Sequence, residues 1–179
     1  MARAMNLGAG VRAQRKTLIT VAAWGEGTGN QELHREILGA RTEDSSIEFN
    51  PDIQTSTDIR GKTYTDVNKT EPQQTFDPFY LLGGSALGEY LVTAALENDI
   101  DAYNGTFNIY IITAFISEAS GEPATTSYKA VKHTGCSIIP ISLGGDSYNS
   151  MPIEVHYSNQ ITKGSVDKLS DDFTFTADT

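Results

Sequence analysis

A few short stretches of this chain have residue types that invite a chemical reading. Gly8-Ala9-Gly10-Val11-Arg12-Ala13 has the letters of a dinucleotide-binding turn. Such a turn must follow a strand and open a helix, so that backbone N–H groups meet the phosphates, and too little chain precedes Gly8 to supply that strand. Gly83-Gly84-Ser85-Ala86-Leu87 approximates a nucleophile elbow, but Leu87 stands where the closing glycine is required. Asp99-Ile100-Asp101-Ala102-Tyr103 starts like a calcium loop, yet Tyr103 occupies the third ligand position and the bidentate glutamate at its far end is missing. Zinc would draw on His34, His133, His156 and Cys136, of which only His133 and Cys136 are close in sequence. Cys136 lies in an apolar run beside Ser137 and Ile138 and reads as a small buried hydrophobe. A Cys–His pair assembled in space stays open as an alternative. The expectation is a chain with no catalytic residue, no metal and no cofactor. The sequons at Asn68 and Asn104 have meaning only for a secreted protein.

The elements that would position any site read as strands. The first 16 residues, rich in Arg, Ala and Gly, are expected to form a flexible arm, and residues 17–179 a single domain. Residues 17–24 (TLITVAAW) alternate as a strand, and a glycine-rich stretch from Gly25 to Asn30 follows. Residues 31–39 fit either a helical turn or a short strand. Residues 45–49 alternate Ile47 and Phe49 with Ser46 and Glu48, and Asn50-Pro51-Asp52 ends the run. Residues 55–58 and 62–67 flank Arg60-Gly61 and predict a hairpin with few aliphatic side chains, within a long polar hairpin region spanning 45–80.

A single helix is predicted over 85–98. Ser85 is its N-cap, Asn98-Asp99 its end, and Leu87, Tyr90, Leu91, Ala94 and Ala95 form its apolar stripe. Residues 106–116 (TFNIYIITAFI) are apolar on both faces and predict a central strand. Beyond a turn at Gly121-Glu122-Pro123, residues 125–133 and 136–143 are expected to pair, as are 153–157 and 161–166. Residues 171–179 read as a polar tail with one alternating patch, Phe173-Thr174-Phe175.

Composition narrows the function classes. A chain of 179 residues can bury a sizeable core in one domain. One cysteine excludes an internal disulfide. No run approaches the roughly 18 apolar residues of a membrane span. The N-terminal residues also lack a signal peptide's apolar core, so synthesis in a cytoplasm is expected. Net charge is −10 but unevenly spread. Arg3, Arg12, Arg15, Lys16, Arg35 and Arg41 outnumber Glu26, Glu32 and Glu36 in the first 41 residues, leaving the rest strongly acidic. Such a body should not grip nucleic acid, because affinity for phosphate comes from Lys and Arg releasing counterions.

The order of several stretches is informative. A strand ends in an acidic proline turn (Ile47 to Asp52), and a polar excursion closes in Thr75-Phe76-Asp77-Pro78-Phe79-Tyr80. The lone helix and the apolar strand of 106–116 follow, then Gly144-Gly145-Asp146, the alternating IEVHY of 153–157, and Lys163-Gly164-Ser165-Val166-Asp167. From about residue 45 almost to the C-terminus this order resembles the major tail tube proteins of long-tailed bacteriophages and prophages.

The resemblance implies a β-sandwich or barrel with one flanking α-helix, whose long hairpins join an inner β-barrel in a ring oligomer. It further implies a virion structural protein, made in the bacterial host cytoplasm, whose hexameric rings stack into a tube that conducts genomic DNA without holding it tightly. Its partners would be itself and other tail proteins such as tape measure, terminator and distal tail. Under that resemblance Glu48, Asp52, Asp58 and Asp66 are the lumen-facing acidic candidates. Arg12, Arg15, Lys16, Arg60, Lys62 and Lys69 are the inter-subunit contact candidates. The expected inter-subunit hairpins are residues 45–67 and 125–143. The alternatives are the tube of a contractile tail or tailocin, another phage part such as a sheath or connector, a β-sandwich adhesion or carbohydrate-binding module, and an enzyme with a spatially assembled site.

Overall fold

The computed structural model describes residues 4–26, 32–42, 45–120 and 125–178. The glycine-rich stretch at 27–30 and the turn at 121–123 lie outside them. The fold is mainly β, with a large antiparallel sheet, a small separate hairpin and two short helices.

The strands are β1 (Ala4–Met5), β2 (Leu18–Glu26), β3 (Glu32–Ile37), β4 (Ile47–Glu48), β5 (Pro51–Thr57), β6 (Thr63–Thr70) and β7 (Gln73–Phe76). After helices α1 (Ala86–Glu97) and α2 (Ile100–Tyr103) come β8 (Phe107–Ser120), β9 (Thr125–Pro140), β10 (Ile153–His156), β11 (Ile161–Val166) and β12 (Phe175–Ala177). The main sheet runs β3-β2-β8-β9-β10-β7-β4. β11 lies on β9 and carries β12, while β1 lies on β8. The ambiguous 31–39 stretch is therefore a strand, fixed by pairing Val21 with Ile37 and Trp24 with His34.

β8 is central, as its two apolar faces predict. Phe107 and Ile109 point into one core with Ala22, Trp24, Phe76, Ile138, Ile153 and Val155, which Leu87 and Leu91 of α1 help close. Tyr110 and Ile112 point the other way, into a second core with Val21, Ala23, Ala130, Val166 and Phe173. The period-2 alternation of a strand thus feeds two cores from one element.

The C-terminal half departs from the sequence expectation. Residues 125–133 and 136–143 are not two paired strands; residues 125–140 are one strand, β9. Thr134-Gly135 is not a turn, because Gly135 at φ 76° is an extra residue in the ladder: Phe107 pairs with Cys136 and Asn108 with Thr134. A glycine in the left-handed region forms such a bulge at no steric cost and bends the strand. The bend lets β9 serve two sheet regions along one edge. β11 pairs with it from Tyr128 to His133, and β10 from Ser137 to Pro140. Residues 153–157 and 161–166 therefore do not pair with each other; they lie end to end along β9.

The C-terminal polar tail is likewise a structural cover. Phe173 is buried edge-on to Tyr110, with ring centroids 4.9 Å apart, and β12 pairs with β11. The N-terminal arm carries two anchors. Ala4 and Met5 pair with Ser117 and Ile116, and the Arg15 guanidinium donates to Ser45 O at 2.7 Å and Leu18 O at 2.7 Å.

Helix α1 matches the expected 85–98. Ser85 Oγ accepts from Gly88 N at 2.9 Å, and Asn98 closes the helix at φ 55°. Glu36 of β3 secures the same end, accepting from Ser85 Oγ at 2.7 Å and Leu87 N at 3.1 Å. A carboxylate there satisfies an orphan N–H and complements the helix dipole. The short second helix, α2, was not anticipated; Asp99 caps it by accepting from Ala102 N, and Tyr90 donates to Ala102 O at 2.7 Å.

Candidate assembly interface

Several of the residues with chemical potential have structural roles. Ser85 is a helix cap bonded to Glu36, and Asp99 caps α2. Cys136 is buried, its thiol pKa pushed up by burial, which disfavours the nucleophilic thiolate. It donates toward His133 O at 3.6 Å, while the His133 ring bonds Ser158 O at 2.8 Å. The two residues are neighbours on β9, but the imidazole is aimed at that carbonyl. Among the described residues, no group of three or more His, Cys, Asp and Glu side chains could hold a metal ion.

The feature that stands apart is β5–β6. The two strands form a sheet of their own, and every residue of both is exposed. They extend beyond the expected 55–58 and 62–67, because Pro51 begins a strand where its missing N–H is not needed. The pairs Ile53–Val67, Thr55–Thr65 and Thr57–Thr63 make one face wholly uncharged and β-branched. The other face carries Gln54 opposite Asp66 and Ser56 opposite Tyr64. Asp52, two residues before Gln54, shares that same face, and its carboxylate accepts from Asn68 Nδ2 at 3.3 Å beside a bulge whose extra residue is on β6. The hairpin is thus two-faced, with its acids on one side.

Its tip is an ordered turn. Asp58 Oδ1 accepts from Arg60 N at 2.8 Å and Lys62 N at 2.9 Å, and Oδ2 from Tyr64 OH at 3.3 Å. Gly61 takes φ 78°, a conformation that suits glycine. These bonds, the one from the Lys62 N–H foremost, hold the Asp58 carboxyl below its ordinary pKa. Ile59 stands fully in solvent at the tip, and Lys62 Nζ sits 4.9 Å from the centroid of the Tyr64 ring. At the root, Lys69 pairs with Glu71 at 2.5 Å, which raises the lysine pKa. Asn50 donates to Glu71 O at 3.2 Å.

The structure therefore separates the acidic candidates. Asp52 and Asp66 share the polar face, Asp58 serves the tip turn, and Glu48 lies outside the hairpin on β4, opposite Gln73. Of the basic candidates, Arg60 and Lys62 are at the tip and Lys69 at the root. Arg15 is bonded within its own chain, and Arg12 and Lys16 are exposed beside it. Within the second expected inter-subunit hairpin, 125–143, the stretch from Tyr128 to His133 is paired along both edges, by β8 and β11.

The edge of β5 is bare beyond Pro51 and Asp52 at its start. Ile53, Gln54, Thr55, Ser56 and Thr57 include no charge and no proline, the usual guards of an exposed edge. That signal was present in the sequence.

No family model matches the chain, and no curated protein matches it in sequence. Solved structures with a similar fold include the tube-terminating cap of the anti-feeding prophage, with a TM-score of 0.45 and 13% identity over 88% of this chain and 94% of that one. A chain of the sheath–tube complex of the extracellular contractile injection system PVC, in its extended state, has a TM-score of 0.44 and 13% identity, over 88% of this chain and 95% of that one.

Proposed function

We propose that this chain is a self-assembling structural subunit: β5–β6 hairpins of neighbouring copies join edge to edge around a ring, and rings stack into a tube. The observation that carries this is the hairpin itself, exposed on both faces and free of charge and proline from Ile53 to Thr57 of β5. A lone two-stranded hairpin is marginal in water. Pairing β5 of one copy with β6 of the next satisfies both edges, and repetition of that head-to-tail contact closes a ring. Hexameric symmetry follows the tail tube resemblance.

In this ring the face bearing Asp52 and Asp66 lines the lumen, and the uncharged face of Ile53, Thr55 and Val67 turns toward the wall. Carboxylates along the bore repel phosphate over about 8 Å at physiological salt, which suits a conduit for genomic DNA. Arg60 and Lys62 at one hairpin's tip meet acids of the adjacent copy. The subunit belongs to a virion tail, with tape measure, terminator and distal tail proteins as further partners. The same ring would serve a contractile tail or tailocin, where a surrounding sheath distinguishes it.

Negative-stain microscopy of the purified protein at rising concentration tests this. Hollow filaments of uniform width are expected. A monodisperse single chain at every concentration, or glycan binding by a stable monomer, would overturn it and favour an adhesion module.

A further inference from the structure

Asn104-Gly105 is the only Asn-Gly pair in the sequence, and both residues are exposed at the junction of α2 and β8. Ser137 of β9 bridges them. Its hydroxyl donates to Asn104 Oδ1 at 3.0 Å and accepts from Gly105 N at 2.9 Å. Gly105 sits at φ 74°, so the junction is built around glycine.

We propose that Asn104 is a self-modification site and that Ser137 sets its rate. In an Asn-Gly pair the glycine nitrogen can attack the asparagine side-chain carbonyl. A bond forms between Gly105 N and Asn104 Cγ, the Cγ–Nδ2 bond breaks, and the nitrogen's proton leaves with Nδ2 as ammonia. Water then opens the resulting cyclic imide to aspartate or isoaspartate. Glycine permits the reaction because no side chain hinders its nitrogen.

Ring closure requires the Gly105 nitrogen to swing round to the Cβ side of Asn104. At the observed ψ of 105° it points away from that side, and the Ser137 hydroxyl holds it there. The rotation breaks the Gly105–Ser137 bond, so the restraint on the attacking nitrogen must be lost before attack. Thr106 Oγ1, bonded to Ala102 O at 2.7 Å, pins the next residue as well. The native junction is thus chemically armed and mechanically held. Release adds a carboxylate, or an isoaspartate with an extra backbone methylene, at the entrance to the central strand.

The test is mass-spectrometric peptide mapping of the full chain during incubation at mildly alkaline pH, with isoaspartate labelling by a carboxyl methyltransferase. Native wild type should convert Asn104 much more slowly than the same chain unfolded in urea. Ser137→Ala should convert about tenfold faster than wild type, the order carried by lost intramolecular hydrogen bonds, and Ser137→Thr should stay slow. Equal rates in native and urea-unfolded wild type would overturn the proposal without reference to any variant. Equal rates in wild type and a folded Ser137→Ala, checked by circular dichroism, would remove Ser137 from it.

Discussion

Gln74 is fully buried, and several elements converge on its side chain. Its Oε1 accepts from Tyr157 OH at 2.6 Å and Thr20 Oγ1 at 3.0 Å, and its Nε2 donates to Ser45 Oγ at 3.0 Å. Burial pushes the Tyr157 phenol pKa up, so the donor stays protonated through the ordinary pH range. Gln74→Leu keeps the volume but strands two hydroxyls, and should cost about 2–4 kcal/mol in urea unfolding. A loss under 0.5 kcal/mol, roughly surface-substitution size, would mean the network contributes little.

Asp58 makes a different kind of prediction, because it is solvent-exposed and its effect is local. Its folded pKa is lowered, so the turn is fully supported above the ordinary value of 3.8 and loses that support only as pH falls through the lowered value. An NMR acid titration should therefore show the Arg60 and Lys62 amides moving with a midpoint below 3.8. A midpoint at or above that value would contradict the bonded turn.

At the scale of elements, β11 and β12 pack closely where they pair. A Cβ on Gly164 would stand 2.3 Å from Thr176 O and 2.6 Å from the Phe175 ring. Gly164→Ala should therefore detach β12, expose Phe173 and lower stability by about 2–4 kcal/mol, the scale of core damage. Chemical denaturation measures it, and near-wild-type stability would show that β12 is dispensable. Gly135→Ala should be milder, near 1 kcal/mol, since only the backbone φ is strained and the nearest atom is an ordinary contact away.

These elements also show what the sequence made legible. β8 declared itself through apolar residues on both faces, and α1 through Ser85, Asn98 and its stripe, because periodicity and capping are local. The course of β9 was hidden, since a glycine at φ 76° marks a bulge or a turn depending on a distant partner, here Phe107 and Asn108. Phe173 looked like part of a polar tail because its partner, Tyr110, lies far away in sequence. The hairpin was legible from its residues, but its isolation from the body depends on tertiary packing, which no local pattern encodes.

At the scale of the whole molecule, one large sheet and helix α1 enclose two cores, while one hairpin stands outside both. Its tip is cationic and its stem acidic, so copies placed side by side have complementary contacts. Arg60→Glu or Lys62→Glu should impair filament formation while leaving thermal unfolding unchanged, since both residues are exposed. Normal tubes from either variant would discard tip-to-stem pairing.

The central claim is that neighbours complete the edges of β5 and β6. Amide hydrogen exchange, read by peptide mass in dilute and in concentrated protein, tests it most directly. Residues 51–70 should exchange rapidly when dilute and gain strong protection on concentration, while β8 stays protected throughout. Rapid exchange of the hairpin at every concentration would contradict the account.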